Sequence, residues 1–322
     1  MNEKEILRDT VRDGKPVDKK TKRYYKPRKI IEIGSGNSTK VAHKAIKEQG
    51  LNTEIISIDP MPRAEIDALD DAMHDLLMRR AAVVSRMAAS RAKTGGGSPL
   101  RPGREAAVLR RLLARHQGAL SRGAVVRIWR HIFMAHTAIQ GGFTAAVAAS
   151  SEGAPSLALA REHFGTQTPL TAFASPAQAL AALSAGKASV AVLPAPSGEG
   201  EGAWWQSLEA PRLCIVARLP FLADAMRADA ALVVAPVPPD ASGGDRSLVR
   251  LEGSADASRD SFARQLAEAG LVGRVVCLLR QGGRSLALAE IDAFIAAGDP
   301  RLATLHAVLL GAYAVPVAGD VS

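Results

Sequence analysis

Aromatic side chains are scarce, at 4% of the chain. A protein this poor in Phe, Tyr and Trp offers few platforms for stacking the bases of a single-stranded nucleic acid. Two cysteines, Cys214 and Cys277, cannot build a disulfide framework, and no Cys/His group has zinc-site spacing. Long apolar runs are missing too. The longest, Ala230 to Ala235, is strand-sized and far short of the roughly 20 residues a membrane-spanning helix needs. The first residues, MNEKEILRD, lack the apolar stretch of a secretory signal. These absences lead to the expectation of a cytoplasmic protein bound neither to membrane nor to nucleic acid. What is present is 47% hydrophobic residues in 322, sufficient for several cores, and a net charge of +9 that favours an anionic ligand.

Lysine and asparagine are concentrated at one end. Ten of the twelve lysines precede residue 50, leaving Lys93 and Lys187, and all three asparagines (Asn2, Asn37, Asn52) lie in the same stretch. Beyond Pro62 the basic residue is almost always arginine and alanine dominates. The break marks a junction near Pro62 between segments of different origin.

Residues 1–28 are charged and without period, as expected of a solvated tail. After them the pattern reads strand Lys29–Ile33, turn Gly34-Ser35-Gly36, a helix to about Glu48, and strand Glu54–Ile58 closed by Asp59. Glycines at a strand-to-helix turn let backbone approach a ligand closely, and an acidic residue ending the next strand can accept ribose hydroxyls. The run KIIEIGSGNSTKVAHKAI…TEIISIDPMPRAEID resembles class I S-adenosylmethionine-dependent methyltransferases over about residues 29–67. The resemblance implies a truncated Rossmann-like βαβ fragment, with Glu32, Gly34 and Gly36 lining S-adenosylmethionine and Asp59 on its ribose. One βαβ unit cannot cover both faces of its sheet, and the strands that would hold a methyl acceptor do not follow.

From Ala64 to about Lys93 the chain has no proline or glycine. Ile66, Leu69, Met73, Leu76, Val83 and Met87 recur in steps of three and four, forming a helical seam. Arg80 falls on that seam, where a cation is costly unless paired. Arg91 returns to within about 20° of the same face, while Arg63 lies about 100° round and about 25 Å away, poorly placed for the same pocket but able to serve a symmetry mate's in an antiparallel dimer. A second helix from about Gly103 starts with Arg104-Glu105 and carries Val108, Leu109, Leu112 and Leu113. A third, about Ser121 to Gln140, carries Val125, Ile128, Trp129, Ile132 and Phe133, with His136 and Gln140 one turn apart. Residues 63–140 hold fourteen Arg/Lys against six Asp/Glu, which fits a dianionic ligand as well as it fits nucleic acid, but no helix-turn-helix signature is evident and the arginines face inward along the seam.

The run RAEIDALDDAMHDLLMRRAAVVSRMAASRAK…PLRPGREAAVLRRLL…IWRHIFMAHTAIQ resembles the all-helical class of chorismate mutases over about residues 62–140. The resemblance implies an all-α three-helix domain in an intertwined homodimer, with chorismate and prephenate as ligands and no cofactor. Carried over, Arg80 and the partner's Arg63 grip the two carboxylates. Arg91 touches a carboxylate and the ether oxygen, Gln140 bonds the same oxygen, and Glu105 accepts the ring hydroxyl with Arg104 nearby. This chain departs from the family at three places. His136 stands where a serine is usual, His131 where a glutamate is common, and Arg101-Pro102-Gly103 replaces an acidic residue before Arg104-Glu105. His136, in register with Gln140, is placed to donate to a substrate carboxylate, and both histidines read equally as surface or dimer-seam residues.

Beyond residue 141 the pattern alternates strands and helices: strand Phe143–Ala148, a helix ending at Gly165, helix Ser175–Ser184 and strand Ala188–Leu193. A Pro/Gly/Glu loop with Trp204-Trp205 follows. With VAVLPAP this resembles the ligand-binding lobe of prephenate dehydratases over about residues 142–240, but Ala231–Val237 stands where that family has Thr-Arg-Phe. Residues 236–244 read as a linker. Strand Ser247–Leu251, helix Asp260–Ala269, strands Gly273–Leu279 and Ser285–Ile291, helix Pro300–Leu305 and strand Val308–Val317 then give a ferredoxin-like β-α-β-β-α-β order. Leu310-Gly-Ala-Tyr313 resembles the closing strand of ACT regulatory domains, without their Glu-Ser-Arg-Pro motif. A phenylalanine effector and a purely structural role are both open.

The domains expected are therefore 1–61, 62–141, 142–240 and 241–322, and the function expected is that of a chorismate mutase serving phenylalanine and tyrosine synthesis. A methyltransferase and a non-catalytic amino-acid sensor are the alternatives.

Overall fold

Two short runs rich in isoleucine, KIIEI and EIISI, form strands β1 (Lys29–Ile33) and β2 (Glu54–Ile58) in the computed structural model. The structure describes residues 29–33, 44, 46–48, 50, 52, 54–58, 63–93, 98–197, 203–223 and 229–318. The two strands pair in parallel, Lys29 against Glu54 through Ile33 against Ile58. Parallel neighbours need a crossover, and Lys44 and residues 46–48 within it are helical. The chain divides into two units, Met1–Arg80 and Ala81–Ser322.

Helix α1 (Arg63–Lys93) is 31 residues long, as its lack of Pro and Gly predicts, with Glu65 in its first turn and Arg91 and Lys93 in its last. Both placements suit the helix dipole. Its apolar seam is not covered: Ile66, Leu69, Met73, Leu76, Val83 and Met87 are 46–61% exposed.

Helix α2 (Pro102–Arg115) buries Ala106, Leu109 and Leu113, and helix α3 (Arg122–Ile139) starts at Ser121, whose hydroxyl accepts from the Ala124 N–H at 3.1 Å. The buried stripe of α3 is rotated from the expected one. It runs through Val126, Arg130, Phe133 and Thr137, while Ile128 is half exposed. These two helices share their core with Phe221 and Ala314 of the α/β half.

That half is one nine-stranded sheet whose strands lie side by side in the order 273–281, 284–291, 245–254, 308–314, 214–219, 231–235, 190–194, 145–148 and 170–173. Strands β3 (Ala145–Ala148), β4 (Leu170–Phe173) and β5 (Val190–Pro194) are parallel and linked by helices α4 (Pro155–Phe164) and α5 (Pro176–Ser184). Alternate residues of β3 face opposite layers: Ala145 and Val147 pack with Phe164 of α4, Ala146 and Ala148 with Leu183 of α5. Strand β8 (Ala231–Ala235) pairs β5 antiparallel, β6 (Cys214–Leu219) pairs β8 antiparallel on its other side, and β7 (Leu222–Ala223) pairs outside the main sheet. The residues between β5 and β6, expected as loop, include a 3₁₀ turn at Ala203–Ser207 that buries Trp204 and Trp205. Trp204 Nε1–H is satisfied by the Pro194 carbonyl at 2.9 Å.

The remaining strands are β9 (Asp245–Ser254), β10 (Gly273–Gln281), β11 (Arg284–Ile291) and β12 (Val308–Ala314), with α6 (Arg259–Glu268) and α7 (Pro300–Thr304). Within this part the spatial order is fourth-first-third-second, all antiparallel, which is the ferredoxin-like arrangement expected from the sequence. A last strand, β13 (Val317–Ala318), pairs β7. The two parts of the sheet join where β12 meets β6, Gly311 against Ile215. Gly311 has φ 142°, and a Cβ there would sit 2.1 Å from the Ile215 oxygen, so only glycine lets these strands meet.

Candidate active site

The residues singled out by sequence fall on three helices. Arg63 opens α1, which also carries Arg80 and Arg91. Arg80 is half-buried with its Nη1 shielded from solvent, and Arg91 is half-buried. Arg104 and Glu105 occupy the first turn of α2, Arg104 exposed and Glu105 half-buried. His136 lies in the last turn of α3, and Gln140 is its C-cap.

The start of α2 has no capping side chain of its own, because Arg101 stands at the N-cap. Asp240 supplies one from the segment expected to be only a linker. Its Oδ1 accepts the Gly103 N–H at 2.9 Å, and its Oδ2 accepts the Arg104 N–H and Arg101 Nε–H at 3.1 Å each. Exposed backbone donors and a partial positive charge at a helix start favour a carboxylate there. A Cβ on Gly103 would come within 2.0 Å of the Asp240 carbonyl oxygen, so a glycine is required. Arg110, two turns on, donates to the Ser242, Gly244 and Val315 carbonyls at 2.7–3.2 Å.

Glu105 faces a residue that the sequence reading passed over. Arg130 of α3 is 5% exposed, and its Nη1 donates to Glu105 Oε2 at 2.8 Å. Its guanidinium lies 5.0 Å from the centre of the Phe221 ring, and Nη1 is 3.5 Å from His163 Nε2. Burial lowers the Arg130 pKa from its ordinary value, and the charge and hydrogen bond of Glu105 oppose that change. Burial, then the nearby Arg130 cation, push the His163 pKa well below the usual histidine value, so its ring is neutral at pH 7. The signal for Arg130 was present in the sequence: it is an arginine on an apolar stripe, the same criterion that selected Arg80.

His136 is buried, at 7% exposed. Its Nδ1 lies 2.5 Å from the Ile132 carbonyl oxygen, which can only accept, so Nδ1 carries a proton. In the neutral ring Nε2 is then an acceptor, and donation to a carboxylate requires the imidazolium. Among the described residues Nε2 has no hydrogen-bond partner. Gln140 Nε2 donates to the His136 backbone carbonyl at 3.1 Å, one turn back along the helix. His131 is exposed, its Nδ1 2.8 Å from the Arg127 carbonyl.

Of the residues assigned to S-adenosylmethionine, Gly34, Gly36 and Asp59 lie outside the described residues. Glu32 sits on β1 opposite Ser57 of β2. Among the described residues no group of His, Cys, Asp and Glu could hold a metal ion, and no helix is long and apolar enough to cross a membrane.

Residues 62–141 match the family model of chorismate mutase type II. The chain carries a chorismate-mutase-type-II domain. No curated protein matches the sequence. Solved structures are similar to about half of it. One is GqqA, described as a novel type of quorum quenching acylase, at 17% identity over 54% of this chain and 96% of that one, with a TM-score of 0.42. Another is prephenate dehydratase from Streptococcus mutans, at 14% identity over 54% and 99%, with a TM-score of 0.39. A third is prephenate dehydratase from Arthrobacter aurescens in complex with L-Phe, at 15% identity over 53% and 90%, with a TM-score of 0.41.

Proposed function

We propose that the chain is an isomerase converting chorismate to prephenate, acting in aromatic amino-acid synthesis. The observation that carries the reading is the family match over residues 62–141, the same stretch in which helices α1, α2 and α3, with the C-cap of α3, carry the residues expected at the site. The reaction is an intramolecular Claisen rearrangement: the ether C–O bond breaks as a C–C bond forms, and no nucleophile, metal or redox partner takes part. Such chemistry needs a conformational clamp and fixed positive charge where the ether oxygen becomes negative.

In this reading Arg80 and the partner's Arg63 hold the two carboxylates, and Arg91 and Gln140 serve the ether oxygen. Glu105 accepts the ring hydroxyl, with Arg104 beside it. His136 serves a substrate carboxylate. The shared site requires a homodimer, and the exposed apolar seam of α1 supports one, because monomers rarely leave such a patch uncovered. Domain limits of 62–141, 142–240 and 241–322 belong to the same proposal, and the N-terminal fragment takes no part in it.

Loss of chorismate absorbance in the presence of the purified full chain tests the reading. Arg80→Ala should lower turnover by at least tenfold, about 1.4 kcal/mol of transition-state stabilisation. A wild-type chain that leaves chorismate unchanged refutes it.

A further inference from the structure

Glu105 is the acceptor assigned to the ring hydroxyl, and a carboxylate on the first turn of a helix has several rotamers that point to solvent. Here it is held instead. Arg130 reaches across from α3 to Oε2 at 2.8 Å, with side-chain exposures of 6% for Arg130 and 12% for Glu105. An ion pair this well shielded is costly to desolvate and strongly oriented once made.

The arginine is in turn held by residues outside the helical domain. Phe221, between β6 and β7, lies 5.0 Å under the guanidinium. His163 of α4 sits 3.5 Å from Nη1 and is kept neutral, so it adds no second cation beside Arg130. Phe221 also joins Leu109 and Phe133 in the core that α2 and α3 share with the α/β half. Asp240 fixes the backbone of the same helical turn through the Gly103 and Arg104 N–H groups. The α/β half therefore grips the start of α2 at its backbone and, through Arg130, at its carboxylate.

We infer that Arg130 is a positioning residue for the mutase site, holding Glu105 in place on a support built by the α/β half. The inference rests on the mutase reading. It gives the C-terminal half a role that needs no effector and no dehydratase chemistry. A carboxylate has two oxygens and about four acceptor positions, so pairing Oε2 with Arg130 is compatible with accepting a substrate hydroxyl.

The test is a double-mutant cycle on the full chain with chorismate as the probe, comparing wild type, Glu105→Gln, Arg130→Met and the double variant. Arg130→Lys and Arg80→Ala accompany them, and circular dichroism and sedimentation show that each is folded and of wild-type assembly. Arg130→Met should lower kcat/KM at least tenfold, mainly through KM, since a ring-hydroxyl contact is made in the ground state as well. The double variant should be no slower than Glu105→Gln alone. Arg130→Lys keeps the charge without the planar fork and should fall between wild type and Arg130→Met. If Arg130→Met does not fold, Phe221→Leu replaces it, with an expected KM increase of about threefold or more.

Losses that multiply in the double variant, or a folded Arg130→Met or Phe221→Leu variant with wild-type KM, overturn the inference while Arg80→Ala remains inactive. An inactive wild type overturns the mutase reading and this inference with it.

Discussion

His163 shows at the scale of one residue how burial becomes a pH dependence. Its folded pKa lies well below the ordinary value, because of burial first and Arg130 second. As pH falls, the unfolded chain therefore takes up the proton before the folded one does. Stability from this group is complete above an unfolded pKa of about 6.5 and is lost as pH drops below it, by up to about 1.4 kcal/mol per pH unit. The facing groups are Arg130 on α3, Glu105 behind it on α2 and the neighbouring Phe164 ring at 4.7 Å. The expected outcome is a melting temperature that declines between pH 7 and pH 5, and a His163→Gln chain in which that decline is shallower. Equal slopes for the two chains would show that His163 is not the group responsible. Glu105→Ala poses the opposite question, leaving the Arg130 cation buried without its carboxylate. It should cost about 3–5 kcal/mol in denaturant unfolding, while Arg104→Ala at an exposed position should cost within about 0.5 kcal/mol.

Helix α2 shows what an element needs from outside itself. The sequence marks its start at about Gly103 by the charged pair Arg104-Glu105, but the cap comes from Asp240, 137 residues from Gly103. Asp240→Ala should destabilise the chain by about 1 kcal/mol, within the 0.5–2 kcal/mol range of cap removals. Thermal unfolding measures it, and a change below about 0.3 kcal/mol would mean that the geometry carries no cap energy. On α1 the seam through Leu69, Met73 and Leu76 is exposed in one chain. Leu76→Glu should convert the proposed dimer to monomer and abolish chorismate turnover together, as read by sedimentation and by rate. A mixture of Arg63→Ala and Arg80→Ala chains should regain activity under exchange conditions, because each proposed site takes one arginine from each chain. If both stay dimeric and nothing is regained, the shared-site arrangement fails.

At the scale of the whole molecule, the two parts of the large sheet meet at one register point, Gly311 against Ile215. Gly311→Val would drive a side chain into the Ile215 backbone and demand a φ that L-residues avoid. A loss of about 2 kcal/mol or more is expected, in one transition that unfolds both parts together. Two separate transitions with the first near the wild-type temperature would mean that the parts fold independently. Nearby, Glu290 accepts from the Tyr313 hydroxyl and pairs with Arg274 at 2.8 Å and Arg246 at 3.2 Å. Burial raises its pKa, but the hydroxyl and the two cations outweigh burial and leave it lowered. The paired carboxylate sits in the sheet of the ferredoxin-like part, a structural use of its charges.

The sequence by itself determined whatever depends on neighbours in the chain. The 31 residues of α1, the two helices of the lobe with the strands before and after them, and the β-α-β-β-α-β order of the last eighty or so residues follow from proline and glycine placement and from apolar periods of 3.6 and 2. The stretch that matches the family model was legible for the same reason, since its arginines sit at fixed helical spacing. Tertiary structure alone decided which face of α3 is buried, because Arg130 becomes a core residue only when Glu105, His163 and Phe221 surround it. It also decided that residues 236–244 cap a helix, and that strands β4 and β6, too short or too plain to stand out, complete one continuous sheet. Each of these rests on groups brought within about 3–5 Å from positions 25 to 140 residues apart, and a local pattern carries no record of a partner that distant.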